Sequence, residues 1–210
     1  MIVTNVESLT KTKFIVEVDG KFAFVLYKGE LKRFGVTQGV ELSEKIYQQI
    51  RTEIVLKRAK LRAMHLLTDM ARSEKGLREK LRQGHYPEDI IEQAMDYVRS
   101  FGYLDDRKYA ESFVLSRKES KSRKEIYAAL LQKGVSAEQI QEVLDEVYAE
   151  EGEREAIRKL ILKKHVDVLQ ANEEELHKLY GYLARKGFRY EEIRKAIEEM
   201  NADNDGLNYY

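Results

Sequence analysis

Residues 77–98 read LREKLRQGHYPEDIIEQAMDYV, and the pattern returns twice, as YAALLQKGVSAEQIQEVLDEV at 127–147 and YGYLARKGFRYEEIRKAIEEM at 180–200. Alignment on Gly84, Gly134 and Gly187 brings together Leu77, Tyr127 and Tyr180 upstream, then Leu81, Leu131 and Ala184. Downstream it matches Glu88, Glu138 and Glu191, then Ile90, Ile140 and Ile193, then Ala94, Leu144 and Ile197. Glycine spacings of 50 and 53 residues lie in the range of stacked helical repeats. Apolar residues at helical spacing on both sides of a glycine predict a helix, a left-handed glycine C-cap, a short turn and a second helix. Pro87 suits the first turn of that second helix. Ser136 with Gln139 and Ser122 with Glu125 read as capping boxes, and Asn172 with Glu175 resembles a third. A further helix precedes each pair, at 54–72, 105–120 and 152–166, so each unit holds three. One such trio buries little area, and neighbouring units are expected to stabilise one another.

Working back toward the N-terminus, the periodicity changes. Phe14, Val16 and Val18 alternate along the chain, Asp19-Gly20 follows, and Phe22, Phe24 and Leu26 alternate again. An Asp-Gly pair between two such runs predicts a β-hairpin, because both turn residues need positive φ. Ile2 to Glu7 offers a third strand, and Ser43 can cap a helix carrying Ile46, Tyr47 and Ile50. The expected architecture is mainly α: tandem three-helix repeats in an elongated curved array, with a small N-terminal β-hairpin unit. The expected division is 1–42 for the hairpin unit, 43–102, 103–150 and 151–200 for the three repeats, and 201–210 for a flexible tail.

Composition agrees with this and removes several kinds of chemistry. Charged residues make up 35% of the chain and there is one proline, which favours long, well-solvated helices. There is no cysteine, so disulfides, thiolate zinc sites and thiol catalysis are excluded. The N-terminus lacks the basic start and apolar run of a signal peptide, and no apolar run of about 18 residues exists, so a cytoplasmic protein is expected. The glycines Gly29, Gly35 and Gly39 match neither nucleotide-binding fingerprint. His65, His85, His165 and His177 lack the paired spacing of metal ligands and read as ordinary surface residues. Most of the 13 tyrosines fall on apolar helical faces and read as core. No cofactor, metal or catalytic residue is expected.

Between the first two repeats stands Phe101-Gly102-Tyr103-Leu104-Asp105-Asp106, with Tyr109-Ala110 and Ser116-Arg117 beyond. Its structural reading is that Gly102 ends one helix, Tyr103 and Leu104 pack as a staple, and Asp105 or Asp106 caps the next. Adjacent carboxylates at a helix start are poorly placed for a general acid and base, which need opposed positions.

This junction, with Arg72-Ser73, the 77–84 stretch and Ile90 before it, resembles the RecX family of bacterial recombination regulators. The resemblance covers about residues 55 to 200. It departs at Gly76, where the family pattern usually has Glu, and at His85 after the glycine, and it is loose in the third repeat. It implies tandem three-helix units forming an elongated, curved molecule without catalytic residues. It further implies a protein that lodges in the groove of the RecA–DNA filament, inhibits recombinase and ATPase activity, promotes disassembly and binds single- or double-stranded DNA. DNA repair and the SOS response would be modulated as a result, and a monomer is expected.

Formal net charge is zero, so partner preference rests on distribution. Residues 51–82 hold ten Lys or Arg against four acids, whereas 138–153 hold seven acids and no Lys or Arg. First and second helices are thus basic and third helices tend to be acidic. Either these are solvated faces with ion pairs of under about 1 kcal/mol each, or the cations form a ribbon facing phosphates. Charge alone favours neither; the resemblance favours the second. The candidate DNA- and partner-binding residues are then Arg72, Arg78, Lys80, Arg82, Arg117, Lys121, Arg123 and Lys124. The alternatives are a stand-alone helix-turn-helix DNA-binding protein and a generic helical-repeat scaffold.

Overall fold

A computed structural model describes residues 1–147 and 150–205. The chain is mainly helical and divides into two compact units between Asp105 and Asp106.

The first unit opens with β1 (Val3–Ser8), β2 (Lys13–Val18) and β3 (Lys21–Tyr27), an antiparallel meander in the order β1-β2-β3. The N-terminal element is therefore a three-stranded sheet and not a hairpin alone. Asp19 and Gly20 take φ of 50° and 75°, as the turn requires, and Val18 pairs with Lys21. The turn is held by β1 and its leader: Asp19 Oδ1 accepts the Ile2 N–H at 2.7 Å, and Thr4 Oγ1 accepts the Gly20 N–H at 3.0 Å. Val16, Val18, Phe24 and Leu26 are buried as the alternation predicts, while Phe22 is exposed beside a register shift at Val16/Glu17. Ala23 and Val25 are buried too, so the middle of β3 is covered on both faces.

Helix α1 (Lys28–Phe34) follows the sheet. Helix α2 (Glu44–Gln49), capped by Ser43, runs through a π-helical stretch at Ile50–Leu56 into α3 (Lys57–Asp69) without a break. Repeat 1 is completed by α4 (Glu74–Gln83) and α5 (Glu88–Ser100). Sheet and repeat share one core, in which Val16, Phe24 and Leu26 join Ile50, Leu77, Leu81, Ile91 and Met95. A sheet this small is marginal alone, and the shared core is what stabilises it.

The second unit holds repeat 2, made of α6 (Asp106–Leu115), α7 (Arg123–Gln132) and α8 (Ala137–Val147), and repeat 3, made of α9 (Glu150–Lys163), α10 (Glu173–Arg185) and α11 (Tyr190–Asp205). In every repeat the first and second helices both pack on the third. Repeats 2 and 3 have separate cores. The two meet at Ser122, whose Oγ donates to the Lys186 carbonyl at 3.0 Å while capping α7. Helix α11 continues through Asp205, into the stretch expected to be a tail; residues 206–210 lie outside the described residues.

The repeat glycines are not equivalent. Gly134 and Gly187 are left-handed, at φ of 85° and 94°, each two residues past its helix. The corresponding residue of repeat 1 is His85, at φ 58°, whereas Gly84 has φ −80°. The alignment on Gly84 is therefore one residue out. In the backbone register Leu77, Ile126 and Leu179 coincide, as do Leu81, Leu130 and Leu183, then Ile91, Ile140 and Ile193, then Met95, Leu144 and Ile197. All twelve are at most 7% exposed, so the corrected register is the one that packs.

Other local expectations need adjustment. Pro87 is the N-cap of α5, one residue before the first turn. Capping boxes close at Ser122/Glu125 and Asn172/Glu175, but Ser136 only accepts the Gln139 N–H and gives its hydroxyl to the Gln139 side chain. At the junction, Gly102 ends α5 in the left-handed region and Leu104 is buried, while Tyr103 is 55% exposed and stacks on Phe101. No described tyrosine is fully buried; Tyr47, Tyr86 and Tyr97 pack at the rim of the core.

Candidate nucleic-acid interface

The cations singled out in the sequence lie on or beside the second helices, α4 and α7, and most are already engaged. The Arg78 guanidinium, 19% exposed, pairs with Glu92 and Glu74. Arg82 pairs with Glu88 at 2.7 Å. Arg123 pairs with Asp145, and Lys121 with Glu125 at 2.9 Å. Arg72 Nε donates to the Leu66 carbonyl at 3.1 Å, which ties the α3–α4 connection to the end of α3. Arg117 lies over the Phe113 ring, 4.0 Å from its centre, and donates to Ser116 Oγ. Lys80 bonds only the Gln83 amide oxygen, at 2.9 Å, and Lys124 is exposed. Neither has a carboxylate at ion-pair distance among the described residues.

The charge split between helices thus has a structural use: within a repeat, the third helix answers the cations of the other two. Arg51 of the π-helical stretch pairs with Asp89 of α5, Arg107 of α6 with Glu146 of α8, and Arg154 of α9 with Glu192 and Glu199 of α11. Arg82 holds the Glu88 carboxyl below its usual range, Arg78 does the same to Glu92, and Arg123 to Asp145. A cation compensated in this way has less field to offer a phosphate.

Uncompensated charge gathers where the sheet meets repeat 1. A basin of about 630 Å³ opens between the sheet, α3 and α4, lined by Lys13, Tyr27, Arg58, Leu61, Arg62, His65, Lys80, Gln83, Gly84 and Tyr86. No carboxylate lines it. Arg58 is spoken for, at 2.5 Å from Glu30 and 3.1 Å from the Val25 carbonyl. Lys13, Arg62, His65 and Lys80 have no carboxylate partner among the described residues. The α3 contribution is a stripe at 58, 61, 62 and 65, which flanks the buried stripe of Ala59, Ala63 and Leu66. That stripe is readable as helical spacing in the sequence; the approach of Lys13 from β2 is not.

The second unit has a smaller cleft, of about 430 Å³, lined by Arg123, Lys124, Tyr127, Gln141, Leu144, Glu153, Gly187 and Arg189. It brings the candidates Arg123 and Lys124 together with Arg189. Asp145 answers Arg123, and buried Glu153 lies 3.7 Å from Arg189, so this cleft is of mixed charge. No group of acidic or histidine side chains able to hold a metal occurs among the described residues, and none of their helices is long and apolar enough to cross a membrane.

Comparison with known proteins gives these units a name. Residues 59–97 match the first three-helix domain of RecX, 105–144 the second and 151–197 the third. The regulatory protein RecX of Caldanaerobacter subterraneus subsp. tengcongensis is 33% identical over 94% of this chain and 98% of its own. That of Clostridium acetobutylicum is 28% identical over 97% and 98%. A solved structure titled as regulatory protein RecX aligns with a TM-score of 0.62 at 27% identity, over 92% of this chain and 98% of its own. RecX from Lactobacillus salivarius, at 24% identity and a TM-score of 0.60 over 70% of this chain and 97% of its own, shares the fold. RecX proteins are regulators and not enzymes, and this chain, matched in all three of its repeats, belongs to the RecX family.

Proposed function

We propose that the protein restrains a RecA-type recombinase: it binds the RecA–DNA filament, suppresses recombinase and ATPase activity, and promotes disassembly. DNA repair by homologous recombination and the SOS response are thereby modulated. The observation that carries this reading is the run of three RecX three-helix domains in tandem along the chain. Such an array, acting as a cytoplasmic monomer, bridges neighbouring filament subunits and opposes the subunit movements and additions that activity requires. DNA contact falls to cations without carboxylate partners, led by Lys80 and Lys124. Arg72, Arg78, Arg82, Arg117, Lys121 and Arg123 frame the same helices. A stand-alone helix-turn-helix reading fits less well, because α5 starts with Glu88 and Asp89 and α8 carries Glu138, Glu142, Asp145 and Glu146, which phosphate repels. The test is DNA-dependent ATP hydrolysis by the cognate RecA, which should fall at substoichiometric to near-stoichiometric ratios. Unchanged hydrolysis at excess protein overturns the reading, and capture of other partners without RecA from cell extract would point to a scaffold.

A further inference from the structure

We infer that the basin between the N-terminal sheet and repeat 1 is a binding site for nucleoside phosphates, with Lys13, Arg62 and Lys80 as its phosphate ligands. This deepens the nucleic-acid part of the function proposed above and rests on it.

Three full positive charges face one concavity whose lining holds no acid, once Arg58 is set against Glu30. Such a cluster repels itself, and for three other cations of repeat 1 the chain supplies a carboxylate: Asp89 for Arg51, Glu92 for Arg78, Glu88 for Arg82. Here it supplies none, and concave walls of low polarisability focus the resulting field on whatever enters. The volume, about 630 Å³, exceeds what a lone phosphate fills and lies inside the usual span of about 300–1,000 Å³ for small-ligand sites. The uncharged part of the lining suits a sugar and base. Leu61 is 51% exposed on the α3 stripe, and the rings of Tyr27, with Arg58 4.6 Å from its centre, and Tyr86 line the basin; aromatic rings are what bases stack on. Tyr86 is also a hydrogen-bond donor here. Burial pushes its phenol up even with Arg58 and Arg62 nearby, so it keeps its proton.

Two sources offer this chemistry: a stretch of single strand passing through the basin, or a free nucleotide. The test uses the full chain, a fluorescein-labelled dT20 strand, and ATP and inorganic phosphate as competitors, without recombinase. The Arg62→Ala/Lys80→Ala double variant removes exposed side chains and leaves the core intact, which circular dichroism checks; Lys13→Ala/Arg62→Ala is a second, independent pair. Each double variant is expected to weaken strand binding at least ~10-fold and to reduce the salt slope by about 1.4, at about 0.7 per lost phosphate contact. Lys178→Ala, on α10, is expected to stay within ~2-fold. Displacement of the strand by ATP from the wild type assigns the basin to nucleoside phosphates generally. Failure of ATP to displace it, with the variants still weakened, assigns it to a continuous strand. Wild-type affinity and slope in both double variants, or displacement by inorganic phosphate as effective as by ATP, overturns the inference. Loss of the RecA effect with strand binding intact would instead count against the proposed function alone.

Discussion

The ring of Tyr86 lies 2.9 Å from the point where a Cβ on Gly84 would stand, and the Leu81 carbonyl lies 3.1 Å from it. Gly84 is therefore kept small by its neighbour and not by its own backbone, while the left-handed turn falls on His85. A sequence marks a glycine by type, but type alone does not say which of two adjacent residues turns left-handed. That is why the repeat was legible and its register in the first unit was not. Gly84→Ala is expected to crowd the Tyr86 ring and lower stability by about 1–3 kcal/mol, the usual cost of overpacking, read as a fall in the urea midpoint with no change in slope. Leu130, fully buried, sits in the corrected register beside Leu81 and Leu183. Leu130→Ala is expected to cost about 2–5 kcal/mol, whereas truncation of its neighbour Leu131, 43% exposed, costs far less by the same measurement. The sequence alignment sets Leu131, not Leu130, beside Leu81, so this pair of variants separates the two registers.

At the level of helices, the division into basic second and acidic third helices was plain in the sequence. Its purpose was not, since composition counts charges without pairing them. Arg78, Arg82 and Arg123 meet carboxylates on the third helix of their own repeats, and Lys80 escapes because it points from α4 toward the basin. Lys13 was out of reach of any local reading, because only the packing of the sheet on α3 brings it there. The braces carry a pH signature. Glu88 and Glu92 are held below their usual range in the folded chain by Arg82 and Arg78. A depressed folded-state pKa stabilises above the unfolded value, about 4.3 for glutamate, and that contribution is lost as pH falls through the folded value. Arg78→Met is thus expected to be less stable than the parent at pH 7 and to converge on it below pH ~4, in paired urea titrations. A gap that persists in acid would assign Arg78 to packing.

Across the whole chain, the sheet and repeat 1 share one core while repeats 2 and 3 each enclose their own. The helical repeats and the β-hairpin were evident from periodicity, and the joint core of sheet and helices was not, because neither element announces its partner. Hydrogen exchange should report the division. Leu183→Ala is expected to raise exchange in α9, α10 and α11 and to leave α3, α4 and α5 as protected as in the parent. Equal loss of protection in both sets would mean a single cooperative unit. Between repeats 2 and 3 a single hydroxyl has two duties: Ser122 starts α7 and also takes up a free carbonyl at the end of α10. A Cβ on Gly187 would lie 2.7 Å from that hydroxyl, at a residue already in the left-handed region with φ 94°, so the glycine is held both by its own backbone and by a serine of another repeat. A lineage that gives up the glycine has to relieve both the turn and the contact with the serine, and the two sites are expected to covary among relatives although they belong to different copies of an ancestral repeat.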